Sequence, residues 1–199
     1  MELTIYDQPF PYLHIKNFYT EEELDLIWAE LEFLQSNPET FKSEHTFGAT
    51  DKDGKLLKKN SGIFLEDLYN HPFRKSSNIL NCNRKLFFQF SEIKTNNWFF
   101  KNLNIDKDTT LVSYYENSDY YHPHTDRTVA TACTWFFKEP KKFKGGDFCF
   151  PEFDITIPLE NNSLVVFPGN VLHAVTQLEM EENSPGYGRY CMSQFLNCR

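Results

Sequence analysis

The chain has 199 residues, enough for one sizeable core with at most an N-terminal elaboration. Aromatic residues make up 17% of it, 20 of them Phe, which excludes a disordered or low-complexity chain. A net charge of −8 argues against a protein that works by gripping phosphates, so no nucleic-acid partner is expected.

The first ten residues, MELTIYDQPF, carry no basic start and no apolar run, and no stretch of about 18 apolar residues follows anywhere. The expectation is a cytoplasmic protein with no membrane contact. Its five cysteines (Cys82, Cys133, Cys149, Cys191, Cys198) form no C-x-x-C pair and read as reduced, mostly buried thiols. Residues 1–35 hold eight acids and one base, whereas residues 41–101 hold eleven bases and six acids.

YLHIK (12–16) alternates like a strand. Thr20 and Glu23 fit a capping box, with Tyr19 and Leu24 placed as a hydrophobic staple. Leu24, Ile27, Trp28, Leu31 and Leu34 then recur at helical spacing. Thr46 to Leu65 reads as a basic, hairpin-like excursion with a turn at Asp53-Gly54. Two more helical stretches run from about Ser76 to Phe90 and from about Asn96 to Leu103.

From Thr109 onward short β-rich runs follow one another: TTLVSYY, TVATACTWFF, GGDFCF, ITIPL, SLVVFP, VLHAVTQ and RYCMSQFL. Turn signals such as ENSD, PGN and NSPG separate them. Strands in series after a helical half suit an antiparallel sandwich or jelly roll, not an interleaved βαβ sheet. The N-terminal helices would cover one sheet's outer face.

Six histidines are present. His14, His45 and His71 read as surface or hydrogen-bonded residues. In YYHPHTD (120–126), His124 and Asp126 are two apart, and on an extended strand such residues point the same way. His173, in the apolar run VLHAV, is either a core histidine or a third ligand from a neighbouring strand. Two His and one carboxylate with open positions opposite are the ligand set of non-haem Fe(II) oxygenases, and they also suit catalytic zinc. Beyond His173 the only bases are Arg189 and Arg199, and Arg189 opens the last β-like run. A guanidinium there clamps a dicarboxylate or pairs with a surface acid. His122 lacks an acid two residues on and reads as mouth-lining or structural.

LVSYYENSDYYHPHTD, FKGGDFCF, NNSLVVFPGNVLHAV and GRYCMSQF, within Leu111 to Leu196, resemble the prolyl 4-hydroxylase-like branch of the 2-oxoglutarate/Fe(II)-dependent dioxygenases. The resemblance implies an α+β, mainly β fold: a double-stranded β-helix (a cupin-like jelly roll) over 109–197, supported by 1–105 in a single domain 1–199. It implies Fe(II), 2-oxoglutarate and O2, with ascorbate as supporting reductant, and hydroxylation of an unactivated C–H. A proline-containing peptide or protein is the implied substrate, with the 46–60 excursion as a lid over it.

By the same resemblance His124, Asp126 and His173 are the iron ligands and catalytic centre. Arg189 binds the distal carboxylate of 2-oxoglutarate. Tyr114 adds a hydroxyl, and Ser193 lies near the co-substrate. Where members often carry a tyrosine on the strand after H-x-D, this chain has Trp135 and Phe136, so either Tyr114 carries more of the binding or Thr134 helps. Tyr121, Trp135 and Arg127 are expected around the substrate mouth. Asp126, in place of a small residue, implies hydroxylation over halogenation. A free amino acid or small molecule remains an alternative substrate, and a metal-holding jelly-roll module without catalysis an alternative role.

Overall fold

A computed structural model describes residues 1–42, 46, 50–181 and 184–198. His45, Arg199 and residues 47–49 of the expected excursion lie outside them. The strands are β1 (Glu2–Tyr6), β2 (Tyr12–Lys16), β3 (Lys58–Lys59), β4 (Ser61–Phe64), β5 (Lys107–Tyr115), β6 (Tyr120–His124) and β7 (Ala130–Phe136), then β8 (Lys144–Gly145), β9 (Phe148–Phe150), β10 (Ile155–Ile157), β11 (Ser163–Pro168), β12 (His173–Val175), β13 (Leu178–Glu179) and β14 (Arg189–Asn197). The helices are α1 (Glu21–Gln35), α2 (Leu65–Leu68), α3 (Asn78–Asn83), α4 (Lys85–Glu92) and α5 (Trp98–Lys101).

Two antiparallel sheets dominate, ordered β1-β2-β11-β7-β14-β5-β4 and β10-β9-β12-β6-β3. Between them lies an inner core that includes Trp135, Phe148, Phe150 and Phe167. A second core, with Ile27, Leu31, Val112, Met192 and Leu196, joins the outer face of the large sheet to the helices. β7 and β11 are therefore buried on both faces, which explains why ATACTWF and SLVVFP read as continuous β-branched and aromatic runs. Along β14 the faces alternate: Tyr190, Met192 and Leu196 meet the helix-side core, while Cys191 points into the inner core.

The Thr20–Glu23 capping box forms as expected, with both reciprocal bonds present. The expected 76–90 helix is broken at Arg84. Asn83 is tied down there, accepting from the Tyr19 hydroxyl at 2.7 Å and donating to Thr110 Oγ1 at 3.2 Å. Buried Glu30 of α1 accepts from Ser77 Oγ and the Ile79 amide, each at 2.8 Å, and so locks α3 to α1. The Asp53-Gly54 turn is present, with Gly54 at φ 79° and Asp51 Oδ1 accepting from the amides of Asp53 and Lys55. Its return arm, β3, pairs Lys58 and Lys59 with Tyr121 and Tyr120 of β6. Among the described residues no helix is long and apolar enough to cross a membrane.

Candidate active site

His124 ends β6 and sits directly opposite His173 of β12. Three steps along the chain from Tyr121 to His124 face two from His173 to Val175, so the ladder carries a bulge at His122-Pro123. Pro123 has no N–H to lose there. The bulge turns Tyr121 to the same side as His124, and the two rings stack at 3.5 Å with planes 10° apart. It leaves His122 exposed.

Asp126 lies just past the strand, so extended-strand alternation is not what aims it. Its amide donates to the Gly169 carbonyl at 2.7 Å, and its Oδ2 accepts from Thr131 Oγ1 at 2.7 Å. Gly169 is required by close approach: a Cβ there would lie 2.1 Å from Thr128 Oγ1 and 2.7 Å from the Thr128 carbonyl oxygen. His173 Nε2 lies 3.4 Å from Asp126 Oδ2. One ligand atom from each of His124, Asp126 and His173 falls within 4.8 Å of the others.

These residues fit a divalent metal. Nδ1 of His124 lies 2.9 Å from the His122 carbonyl oxygen, and Nδ1 of His173 lies 2.9 Å from that of Val171. Each Nδ1 holds its proton against a carbonyl, so each Nε2 presents a lone pair. Burial, helped by His173, depresses the His124 pKa to about 3, and burial depresses that of His173 against the pull of Asp126. Both imidazoles are therefore neutral ligands near pH 7.

The cluster opens into a cavity of ≈ 370 Å³ whose wall also includes Tyr115, Tyr121, Arg127, Cys133, Cys191 and Ser193. A larger surface groove of ≈ 540 Å³, between Lys141–Lys144 and Glu179–Glu181, holds none of the expected site residues. Behind the cavity Arg189 is fully buried, and Nε, Nη1 and Nη2 all lack a hydrogen-bond partner. Its guanidinium lies 5.0 Å from the Tyr115 ring and 5.9 Å from the Trp135 ring. Among the described residues no carboxylate pairs with it. Trp135 Nε1 is a further buried donor without a partner. Buried unpaired donors are costly unless a ligand or water takes them up.

Of the expected residues, Tyr121, Arg127 and Ser193 line the cavity with the three candidate ligands. Tyr114 and Thr134 do not. Tyr114 packs in the helix-side core and its hydroxyl accepts from the Gly186 and Gly188 amides at 2.9 and 3.0 Å. Thr134 faces the same side as Ala132 and Phe136, away from the cavity. Trp135 is fully buried beside Arg189 and is not among the cavity-lining residues, so it does not stand at a mouth. The residues missed were Tyr115 and Thr131, while Cys133 and Cys191, expected as core residues on strands near the site, line the cavity. Strand alternation identifies Tyr115, which lies directly opposite Arg189 in the ladder.

The fold is the jelly roll of the 2-oxoglutarate/Fe(II) oxygenases, and the His-Asp-His cluster is compatible with their metal. The chain is similar to a Pseudomonas putida prolyl-4-hydroxylase at TM-score 0.62 and 15% identity, over 94% of this chain and 92% of that one. It is similar to a viral collagen prolyl hydroxylase of Paramecium bursaria Chlorella virus-1, solved with 2-oxoglutarate, at TM-score 0.59 and 14% identity over 94% and 96%. A Neurospora crassa protein, solved with α-ketoglutarate and 5-formyluracil, gives 0.53 and 16% over 94% and 74%. No protein-family model and no curated protein matches the sequence.

Proposed function

We propose that this protein is an Fe(II)- and 2-oxoglutarate-dependent oxygenase that hydroxylates an unactivated C–H, and that the carbon belongs to a prolyl residue of a peptide or protein. The observation that carries the oxygenase reading is a His-Asp-His cluster whose cavity is walled by Tyr115, with the buried Arg189 guanidinium, lacking a hydrogen-bond partner among the described residues, 5.0 Å from that tyrosine's ring. Neither a structural nor a hydrolytic metal site by itself requires a buried, unpaired guanidinium such as that of Arg189. The likeness to two prolyl hydroxylases supports the prolyl choice.

When bound, Fe(II) with 2-oxoglutarate and O2 supplies oxidative decarboxylation, which gives succinate, CO2 and an oxygen atom for the C–H bond. The chain's residues do the rest. His124 and His173 would hold the metal through Nε2 and Asp126 through its carboxylate, which Thr131 orients. Arg189 pairs with the distal carboxylate of the co-substrate. Trp135 Nε1–H supplies the donor that a hydroxyl on that strand would otherwise give. Tyr121, stacked on His124, forms a rigid wall of the substrate side, and Arg127 stands at the cavity's exposed rim. The return arm of the excursion, β3, lies beside Tyr121, where it would cover the substrate.

Purified protein with Fe(II), ascorbate and 2-oxoglutarate is expected to form succinate, and Asp126→Ala or His173→Ala to abolish it. Equal succinate from wild type and variants would refute the oxygenase reading. A +16 Da product on proline-containing peptides supports the prolyl reading; one on free amino acids alone refutes it.

A further inference from the structure

We infer that Cys133 and Cys191 form an oxidisable dithiol in the inner wall of the cavity, and that hydrogen peroxide converts it to a disulfide in competition with the cavity's occupant. The competition rests on the oxygenase reading; the oxidation does not.

β14 pairs with β7 so that Ser193 faces Cys133 and Cys191 faces Trp135. The cysteines are thus diagonal neighbours on the inner face of the sheet. Ser193 Oγ bridges them, 3.6 Å from each sulfur. Both line the cavity although Cys133 is only 4% and Cys191 only 5% exposed. A solute as small as peroxide reaches them through the cavity.

The two thiols are electrostatically unlike. Hydrogen bonding from Cys133, together with the Arg189 charge, lowers the Cys191 thiol below the usual range against the effect of burial. Cys133 is raised well above it by the same contact and by burial. Cys82, in the helix-side core, is pushed up by burial to about 11, and Cys149 is also raised by burial. Cys191 lies two residues from Arg189 on the same face of β14 and lines the cavity, so the neighbouring cation favours its thiolate and makes it the attacking sulfur, with Cys133 as the resolving one.

The chemistry balances with peroxide as the two-electron oxidant. The Cys191 thiolate attacks one peroxide oxygen, the O–O bond breaks, and hydroxide leaves to give a sulfenic acid. The Cys133 sulfur then attacks that sulfur; the S–O bond breaks, the S–S bond forms and the thiol proton leaves with the oxygen as water. Two thiols are oxidised and one peroxide is reduced to two waters.

The test uses the full chain carrying Cys198→Ser, which keeps the exposed thiol out of the tryptic peptide of Cys191. The protein is stripped of metal, treated with peroxide, alkylated and mapped by mass spectrometry. The expected product links the Cys133 and Cys191 peptides with loss of 2 Da and reverts with dithiothreitol. In Cys133→Ser, dimedone should trap a sulfenic acid at Cys191. Both cysteines alkylated and no dimedone adduct after peroxide would overturn the dithiol.

In the second arm, Zn(II) with 2-oxoglutarate at ten times its Kd, set by thermal shift, should slow the linkage about tenfold. An unchanged linkage rate despite a thermal shift would overturn the competition. No thermal shift at all would overturn the competition and the oxygenase reading together, while the metal-free linkage would still stand.

Discussion

Tyr114 and Tyr115 are adjacent in β5, yet the pleat sends one to the helices and the other to Arg189. The Tyr114 hydroxyl accepts two buried glycine amides, those of Gly186 and Gly188, just ahead of Arg189. Removing it leaves both amides without a partner. Tyr114→Phe is expected to cost about 2 kcal/mol or more of stability, measured by denaturant unfolding, and to leave 2-oxoglutarate affinity within about twofold, since the hydroxyl is outside the cavity. Lost affinity at unchanged stability would return Tyr114 to the co-substrate. The distinction was one residue of strand phase. The family resemblance selected Tyr114, whereas alternation from Arg189 across the ladder selects Tyr115. Phase is the weakest thing to read where a bulge intervenes, and the bulge at His122-Pro123 lies in the same segment.

Elements were legible where local chemistry fixes them. The capping box of α1 rests on Thr20 and Glu23 alone, and Ser163–Pro168 forms a strand with the bounds its apolar run suggested. The break at Arg84 was not legible, because its cause is Asn83 reaching Tyr19 and Thr110, 64 and 27 residues away. The turn that aims Asp126 has the same character: its anchor is Gly169, 43 positions on in the numbering and visible only once β7 and β11 pair. Gly169→Ala puts a methyl 2.1 Å from Thr128 Oγ1, so the Thr128 backbone must move and carry Asp126 with it. Affinity for Zn(II) or Mn(II) by calorimetry should fall about 10- to 100-fold, with the far-ultraviolet dichroism of the sheets retained. Affinity equal to wild type would show that the turn does not set the carboxylate.

At the scale of the whole molecule, the −8 charge and the buried histidines push stability in opposite directions as pH falls. Acidification reduces net negative charge and relieves self-repulsion, but exposed charges are screened beyond about 8 Å at physiological salt. Burial depresses His124 from 6.5 to about 3, and it also lowers His14 and His173. His124 takes up a proton in the unfolded chain between about pH 6.5 and 3 and resists it in the folded one, and His14 and His173 act in the same direction. The unfolded state then binds more protons, so stability rises with pH across that window and is lost as pH drops through it. A tenfold loss of proton affinity on folding corresponds to about 1.4 kcal/mol, so buried sites outweigh the screened surface. Buried Lys58, lowered by desolvation to about 7 from 10.5, extends the rise above neutrality. The metal-free protein should therefore unfold at progressively lower denaturant between pH 7 and pH 4. Excess Zn(II) should steepen that dependence, because the metal binds only the neutral imidazoles. A midpoint that stays level or climbs toward pH 4 in the metal-free protein would mean that these histidines are already charged in the fold, and a cationic pair could not serve as the ligands proposed for them.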